Sequence, residues 1–321
     1  MQRREFLKQT AAMAATLGCF PATLSAIERE NAPGQIERRA LGQTGEKLSI
    51  VAFGGYVLNR STPEQAAQWL REAFEAGVTH FDVAPEYGNA EERMGPALEP
   101  YRNKIFLSCK TAQRKQEQAA AELDRSLQRL RTDHFDLYQL HHVTRPEEVE
   151  TIFSDDGAIK AFEKAKQGGK VRFLGFSAHS VEAAMAMLDR FRFDAIMFPV
   201  NYGTWNAGNF GPQVLAKALE KKMGILALKA LAKGPWPRGA DHSAHPNCWY
   251  EPMTDPDEAL LGLRFTLSHP VTTALTPASE VCFKLALKLA AKFTPLNPEE
   301  VAAVKQKGMA ATPLFRYREN G

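Results

Sequence analysis

The feature that most constrains this chain is a regular alternation of short apolar runs with longer amphipathic segments. A strand that is covered by helices on both faces is apolar along its whole length. The alternation of apolar runs with amphipathic segments therefore predicts parallel strands connected by helices. The predicted strands are, in chain order, LSIVAFGG, VTHFDVA, KIFLSC, FDLYQLH, VRFLGFS, FDAIMFP, GILALK and VTTALTP. The predicted helices lie near 64–76, 90–98, 115–131, 156–168, 180–190, 211–222 and 256–268, with a last one after Glu280.

Eight strands, each followed by a helix, predict an α/β fold of the parallel (β/α)8 TIM-barrel class. The alternative is an open, doubly wound sheet. Such a sheet is expected to carry a Gly-rich G-x-G-x-x-G turn after its first strand, and AFGGYVLNRS has none. In a barrel the active site lies at the carboxyl ends of the strands, so residues at those ends are the candidates for chemistry.

Two neighbouring predicted strands place ionisable residues at the same rim of the barrel. VTHFDVA carries Asp82 near its end, Tyr87 follows on a Pro/Gly turn, and KIFLSCK ends in Lys110. A phenol has an unperturbed pKa of about 10, so it transfers protons readily at neutral pH only when a nearby cation lowers that value. We expect Lys110 to be this cation, Asp82 to keep it charged, and Tyr87 to act as a general acid towards a carbonyl oxygen. Taken singly, Asp82 is better interpreted as a helix cap, Tyr87 as a packed turn residue and Lys110 as a solvated strand end.

The strand HFDLYQLHHV ends in two histidines. An imidazole at this rim can orient a carbonyl oxygen by hydrogen bonding. Because successive side chains of a strand face opposite sides, we expect His141 to face the site and His142 to be structural. With FDVAPEYG, KIFLSCK and DLYQLH, the chain resembles the aldo/keto reductases over residues 36–295. The resemblance implies a catalytic tetrad of Asp82, Tyr87, Lys110 and His141.

The resemblance also implies a nicotinamide cofactor, NADP(H), lying across the barrel mouth. The matching cofactor-binding positions are Gly54, Gly55 and Tyr56 at the first-strand turn, Ser177 on the fifth strand, Lys229 after the seventh, and Ser279 and Lys284 after the eighth. The basic residue Lys284 favours NADP over NAD. The chain departs from the family at Ala178, Phe198 and Ala230, where an asparagine, a glutamine and a stacking tyrosine are expected.

We therefore expect an NADPH-dependent enzyme that reduces a small-molecule aldehyde or ketone. One alternative is an exported nucleotide-binding barrel with little turnover, which acts as a sensor or partner subunit. Another is an aldolase or isomerase that uses Lys110 as a Schiff-base amine, which leaves Tyr87 and His141 without a role.

The N-terminus has the basic start, Ala/Leu/Met-rich core and small-residue end of a signal peptide. Arg3-Arg4, followed by Phe6-Leu7-Lys8, resembles the twin-arginine signature. An ordinary amphipathic N-terminal helix is the alternative. The predicted organisation is a twin-arginine signal peptide over 1–26, a linker and N-terminal hairpin over 27–47, and the barrel over 48–321. We expect the twin-arginine export machinery as a partner and a periplasmic or otherwise exported location.

Composition argues against several other classes. The formal net charge is +3 and no basic run is interleaved with aromatic residues, so no nucleic acid partner is predicted. The longest apolar stretch, at the N-terminus, is too short and too rich in small residues for a stable membrane span. Residues 230–255 lack helix or strand periodicity and are predicted to be a loop in the wall of the substrate pocket. We interpret His242, His245 and Cys248 in this stretch as loop residues, and no metal is predicted.

Overall fold

The structure, a computed structural model, describes residues 36–318. The predicted signal peptide over 1–26 lies outside the described residues. Within them the strands are, in chain order, β1 (Arg38–Ala40), β2 (Lys47–Ser49), β3 (Val51–Gly54), β4 (His80–Asp82), β5 (Phe106–Thr111), β6 (Phe135–Val143), β7 (Val171–Ala178), β8 (Ala195–Pro199), β9 (Gly224–Leu228), β10 (Ala232–Gly234), β11 (Glu251–Pro252) and β12 (Thr273–Leu275). Eight of them close into a barrel in the order β12-β3-β4-β5-β6-β7-β8-β9. The prediction of a parallel (β/α)8 TIM barrel is confirmed, and the open-sheet alternative is wrong.

An antiparallel hairpin of β1 and β2 precedes the barrel. Its turn contains Gly42, which has a φ of +52°. A Cβ on Gly42 would lie 2.5 Å from the backbone nitrogen of Gly224, at the start of β9. Glycine at this position therefore permits both the left-handed conformation and the close contact between hairpin and barrel.

The predicted helices are all present, close to their predicted bounds. The α-helices of the described residues are α1 (Pro63–Glu75), α2 (Ala90–Leu98), α3 (Gln116–Arg129), α4 (Pro146–Ile152), α5 (Ala158–Gln167), α6 (Val181–Arg190), α7 (Tyr202–Asn206), α8 (Pro212–Glu220), α9 (Pro256–Leu267), α10 (Glu280–Ala290) and α11 (Pro298–Ala310). Three of them, α4, α7 and α11, are absent from the prediction. None of these helices is long and apolar enough to cross a membrane.

The missed helix α11 does carry a start signal. The Asn297 side chain accepts a hydrogen bond from the Glu300 backbone N–H at 2.9 Å, and the Glu300 side chain accepts one from the Asn297 N–H at 2.8 Å. This reciprocal capping box, with Pro298 at the first helical position, is a recognised start signal for a helix. The string NPEE was thus sufficient to predict the helix.

The interior of the barrel combines an apolar cluster with polar positions. Its apolar cluster is formed by Leu41, Leu48, Ala52, Phe106, Leu137, Ala195, Met197, Leu226 and Leu275. The alternation of side chains along β4, β5 and β6 also places polar groups inward, and the buried ones are His80, Asp82, Ser108, Lys110 and Gln139. Water does not solvate these groups, and they hydrogen-bond to one another: His80 to Ser108, and both Lys110 and Gln139 to Asp82.

His80 makes the stability of the fold dependent on pH. Its Nε2 lies 2.7 Å from Ser108 Oγ, and burial, with a smaller effect of the Lys110 charge, lowers the pKa of His80 to about 3. An unfolded histidine has a pKa of about 6.5, so the folded protein binds fewer protons between these two values. We therefore expect this group to lower the free energy of unfolding by about 3 kcal/mol as the pH falls from 6.5 to 4.

Urea unfolding of the wild type and of His80→Gln across this pH range measures that contribution. Gln does not titrate and retains a partner for Ser108, so the variant should lose stability less steeply on acidification. Parallel pH profiles of the two proteins would contradict the assignment to His80.

The segment after β9 is a short hairpin with a long connection. β10 and β11 pair antiparallel, so the predicted loop over 230–255 is partly structured. The connecting residues 235–250 are called the mouth loop here. Asn247 in this loop exchanges two hydrogen bonds with Asn59, which follows β3, at 3.1 and 3.2 Å. The mouth loop, which follows β9, is thereby attached to the carboxyl end of β3, on the other side of β12.

Candidate active site

A buried ion pair lies at the carboxyl ends of β4 and β5. The Lys110 ammonium donates a hydrogen bond to Asp82 Oδ2, and these side chains are 0% and 1% exposed. Gln139 Nε2, which is inward on β6, lies 3.3 Å from Asp82 Oδ1. The structure therefore places the carboxylate between a cation and an amide donor.

Each charge of this pair stabilises the ionised state of the other. Burial pushes the pKa of Lys110 down, but the opposing effects of its neighbours, chiefly Asp82 and Tyr87, together raise it. Burial raises the pKa of Asp82, against the opposing effect of Lys110. Lys110 is therefore protonated at neutral pH. A protonated, paired lysine is a poor amine nucleophile, so the pair gives no support to the Schiff-base alternative.

The Tyr87 ring lies among the other candidate groups. Its centroid is 4.9 Å from that of Tyr56 and 5.6 Å from that of His141, which it meets edge-on. Lys110 Nζ lies 5.1 Å from the Tyr87 ring centroid. The structure thus brings Asp82, Tyr87, Lys110 and His141 together at one rim.

The pKa of the Tyr87 phenol is raised, not lowered as the sequence predicts. Burial raises the pKa to about 12, the charge and hydrogen bond of Lys110 act against it, and the negative charge of Asp82 acts with it. The prediction of a lowered pKa is wrong because burial of the phenol outweighs the nearby cation. The phenol is protonated at neutral pH, which is the state that a proton donor requires.

A bulge at the end of β6 turns two successive histidines towards one carboxylate. The register between β6 and β7 shifts between Leu140 and Val143, and His142 has a φ of +40°. Glu86 Oε2 lies 2.6 Å from His141 Nδ1 and 3.3 Å from His142 Nε2. The prediction that His142 faces away is wrong, because side chains alternate only along a regular strand and a bulge interrupts the alternation.

Two hydrogen bonds hold the bulge. The His142 backbone N–H donates to Ser177 Oγ on β7 at 2.7 Å, and Arg114 Nη2 donates to the His141 carbonyl oxygen at 2.7 Å. Arg114 is itself paired with Glu148 at 3.0 Å. Ser177, predicted to contact the cofactor, is buried and already accepts this bond. The Ser177 hydroxyl can still donate a hydrogen bond to a ligand.

A cavity of about 80 Å³ lies beside Tyr87. Its walls include Gly54, Tyr56 and Lys229 together with Trp249 and Tyr250 from the end of the mouth-loop region. A larger groove, of about 680 Å³, lies between α3 and α5 on the outside of the barrel and contains none of these residues. The small cavity is therefore the one that the candidate chemistry can use.

Lys229 is a cation in the cavity wall with no acidic partner within salt-bridge distance among residues 36–318. Its ammonium lies 5.0 Å from the Trp249 ring centroid and 4.8 Å from that of Tyr250. Its backbone φ is +68°, a value that residues other than glycine rarely adopt. Burial lowers the pKa of Lys229 to about 8. A partly desolvated cation held by aromatic rings is suited to receive an anionic group.

The two glycines predicted to admit the cofactor are already required by packing in the barrel. A Cβ on Gly54 would lie 2.5 Å from the Thr276 carbonyl oxygen, and one on Gly55 would lie 2.5 Å from the Asp82 carbonyl oxygen. Gly54 also lines the cavity. Their lack of a side chain is therefore explained without a ligand.

Two residues predicted near the adenosine phosphates are engaged with other side chains. Ser279 Oγ lies 2.8 Å from His245 Nδ1 of the mouth loop. Lys284 Nζ lies 3.1 Å from a Glu72 oxygen and 2.9 Å from a Glu280 oxygen. In this arrangement neither side chain is free for a phosphate.

A polar atom without a partner among the described residues lies where the sequence predicts the nicotinamide to bind. His179, directly after β7, has a buried Nε2 with no hydrogen-bond partner among the described residues. Burial lowers the pKa of His179 to about 3, so its ring is neutral. With Ala178 where an asparagine is expected, this nitrogen is a candidate contact for a carboxamide. The residues present fit the nicotinamide end of a nucleotide, whereas the adenosine end requires the mouth loop and Lys284 to rearrange.

Two residues of the site, Glu86 and Gln139, are absent from the prediction. Gln139 stands two positions before His141 and so lies on the same face of β6, which was a sufficient signal. Glu86 directly precedes Tyr87 in PEYG, but it meets His141 across 55 positions of sequence. No local pattern indicates that contact.

Comparison with known proteins agrees with this geometry. A sequence profile of the aldo/keto reductase family matches residues 50–303. The chain is similar to L-galactose dehydrogenase of Arabidopsis thaliana, with 31% identity over 218 residues, or 62% of this chain and 67% of that protein. It is also similar to L-glyceraldehyde 3-phosphate reductase of Escherichia coli K12, with 28% identity over 227 residues, or 63% of each chain. The chain thus spans about two thirds of the length of these relatives.

The fold has close counterparts among solved structures. An aldo-keto reductase from Bacillus halodurans, in its holo form, superposes with a TM-score of 0.69 and 23% identity, covering 89% of this chain and 99% of that chain. This likeness shows a shared fold. Because the family profile also spans most of the chain, including all four rim residues, the protein belongs to the aldo/keto reductase family of oxidoreductases.

Proposed function

We propose that this protein reduces aldehydes or ketones with NADPH and that Tyr87 is the general acid. The observation that carries the proposal is the buried pair of Asp82 and Lys110 beside Tyr87 and His141. A protonated phenol, an adjacent cation and a cavity beside both suit the protonation of a carbonyl oxygen.

Each residue has a distinct part in this chemistry. The bound nucleotide supplies hydride to the carbonyl carbon. Tyr87 donates its proton to the oxygen as negative charge develops there, and the Lys110 charge stabilises the phenolate that remains. Asp82 keeps Lys110 protonated and in place, and Gln139 orients the Asp82 carboxylate.

Glu86 determines which nitrogen of His141 carries the proton. A carboxylate 2.6 Å from Nδ1 requires a proton on that nitrogen, and burial lowers the pKa of His141 to about 4, so the ring is neutral. Nε2 then accepts a hydrogen bond. This acceptor suits a substrate with a hydroxyl group next to its carbonyl group, and we propose a hydroxylated aldehyde or ketone as the substrate. In support, the similar proteins are named for L-galactose and L-glyceraldehyde 3-phosphate.

Cofactor binding in this proposal requires the mouth loop to move. The cavity of about 80 Å³ is smaller than typical ligand sites, which start at about 300 Å³. Release of the Asn247–Asn59 and His245–Ser279 contacts would open the rim between β9 and β3. Lys229 would then exchange its aromatic contacts for a phosphate of the nucleotide.

Lys229→Met is expected to weaken NADPH binding about tenfold, because one charged contact to a phosphate is lost. The same change should leave the nucleotide-free protein as stable as the wild type or more stable, since a half-buried cation that has no acidic partner among the described residues is removed. Fluorescence titration with NADPH and a thermal melt measure the two effects. Lys284→Met is the matched control, and a larger loss of affinity there would place the phosphate contact at Lys284, as the sequence predicts.

The proposed activity is tested by steady-state NADPH oxidation with paired aldehydes that differ by a hydroxyl group next to the carbonyl. Turnover that favours the hydroxylated member supports the proposal. Tight NADPH binding without turnover of any carbonyl compound favours the alternative, a nucleotide-binding sensor or partner subunit. Absence of both binding and turnover contradicts both functions.

We also propose export through the twin-arginine machinery to the periplasm or beyond, on the basis of Arg3-Arg4 and the composition of residues 1–26. Fractionation of cells that carry the wild type or an Arg3→Lys, Arg4→Lys variant tests this, and an unchanged location of the variant would contradict it.

A further inference from the structure

We propose that Glu86, His141 and His142 form a binding site for a divalent transition-metal ion of the Zn²⁺ type. One carboxylate oxygen and two imidazole nitrogens from these residues lie within 4.8 Å of one another. Two imidazoles and a carboxylate are a ligand set of open zinc sites, in which water or substrate takes the fourth position. The site lies outside the sequence prediction, which placed no metal in the chain.

The two ligand-atom separations that involve Glu86 are within about 1 Å of those in a zinc site. Zinc bonds of about 2.0–2.2 Å in a tetrahedron place neighbouring ligand atoms about 3.3–3.6 Å apart. Glu86 Oε2 is 3.3 Å from His142 Nε2 and 2.6 Å from His141 Nδ1. The Glu86 side chain is 44% exposed and the His141 side chain 12%, so the carboxylate can withdraw while the imidazole stays in place. An ion can enter from the exposed side.

The backbone of β6 is arranged to bring the two imidazoles together. A regular strand would send successive side chains to opposite faces, whereas here the register shift and the left-handed φ of His142 turn both to Glu86. A non-glycine residue in this conformation is strained, and such residues persist where the surrounding structure fixes them, often at ligand sites. Ser177 and Arg114 supply that constraint through their hydrogen bonds to the bulge. Two nearby cations, Lys110 and Arg114, are paired with Asp82 and Glu148, so their charges are largely neutralised.

Metal binding would change the hydrogen-bonding role of His141 Nε2 in the cavity. When Nδ1 binds the ion through its lone pair, a neutral imidazole carries its proton on Nε2. The Nδ1 proton is released to water and Nε2 takes one up from water, so His141 stays neutral, and Glu86 exchanges a hydrogen bond for a metal bond. Nε2 then donates a hydrogen bond instead of accepting one. This consequence rests on the proposed function: the metal-loaded protein should act better on a simple aldehyde, and the metal-free protein on a hydroxylated one.

Binding is tested on the full chain with Co²⁺, whose visible absorption reports coordination, and with Zn²⁺ in competition with a chromophoric chelator. We expect one equivalent to bind, and Glu86→Gln and His142→Asn each to weaken binding at least about tenfold. His242→Asn, at a mouth-loop histidine that stacks on Trp236, is the matched control and should leave the affinity unchanged. Circular dichroism checks that each variant is folded. Absence of binding by the wild type, or equal affinity in the wild type and both ligand variants, would overturn the site.

The effect on His141 is tested by the ratio of NADPH oxidation rates with a simple and a hydroxylated aldehyde, in chelator-treated and Zn²⁺-reloaded protein. We expect the metal to shift this ratio about tenfold towards the simple aldehyde, the effect of one hydrogen bond, and to leave it unchanged in His142→Asn. An unchanged ratio in protein that demonstrably holds the metal overturns the tautomer step. Absence of turnover with either aldehyde contradicts the proposed function, and the site is then decided by the Co²⁺ titration alone.

Discussion

Tyr87→Phe is expected to lower the kcat for carbonyl reduction by about three orders of magnitude, within the range for loss of a general acid. Of the four predicted catalytic residues, Tyr87 is the one that can donate a proton, because His141 presents an acceptor and Lys110 is paired with Asp82. The ring itself remains, with its contacts to Tyr56 and His141, so the fold and the affinity for NADPH should stay close to those of the wild type.

Stopped-flow measurement of a single turnover, with NADPH affinity determined separately, isolates this effect on the chemical step. Tyr138→Phe is the matched control, because Tyr138 is a buried tyrosine on the same barrel whose hydroxyl has no hydrogen-bond partner within residues 36–318. That variant should turn over like the wild type. If Tyr87→Phe keeps more than about a tenth of the wild-type rate, Tyr87 is not the donor.

Lys110→Met is expected to reduce the free energy of unfolding by about 3–5 kcal/mol, because it leaves the Asp82 charge buried without its partner. Both side chains are almost completely inaccessible, so water does not compensate for the loss. The neutral double variant Asp82→Asn/Lys110→Met should recover most of the stability, since replacement of a whole buried pair is often nearly neutral. Activity should stay lost in both variants, because the phenolate of Tyr87 has no cation beside it.

Urea unfolding followed by circular dichroism measures the stability of the wild type, the single variant and the double variant under identical conditions. The comparison separates the structural from the catalytic part of the ion pair. A single variant as stable as the wild type would mean that Asp82 is protonated in the fold, and the proposed effect of Lys110 on Tyr87 would then need another source of charge.

Much of the fold could be predicted from the sequence. The barrel strands are short apolar runs, and strand connectivity through helices leaves few topologies. Residues at the carboxyl ends of such strands must share a rim, which is why Asp82, Lys110 and His141 could be named before the structure was known. Gln139 and α11 were also within reach of sequence reasoning, from the two-residue period of β6 and the capping box of NPEE.

The cofactor end was less predictable. Lys284 has the position and charge expected for a phosphate contact, but it pairs with Glu72 and Glu280. Lys229 stands in the cavity wall between two aromatic rings. The availability of each lysine to a ligand depends on residues that are far away in sequence. The local sequence around a lysine does not predict those neighbours.

The sequence by itself determined the barrel and the four predicted catalytic residues at its rim. The period of the hydrophobic residues and the order of the strands can both be read from the sequence without knowledge of distant contacts. Only the tertiary structure decided the state of the rim: a phenol with a raised pKa, a bulge that turns both His141 and His142 to Glu86, and a mouth loop that is hydrogen-bonded to Ser279. These properties depend on burial and on distances between residues remote in sequence, and such quantities exist only once the chain has folded.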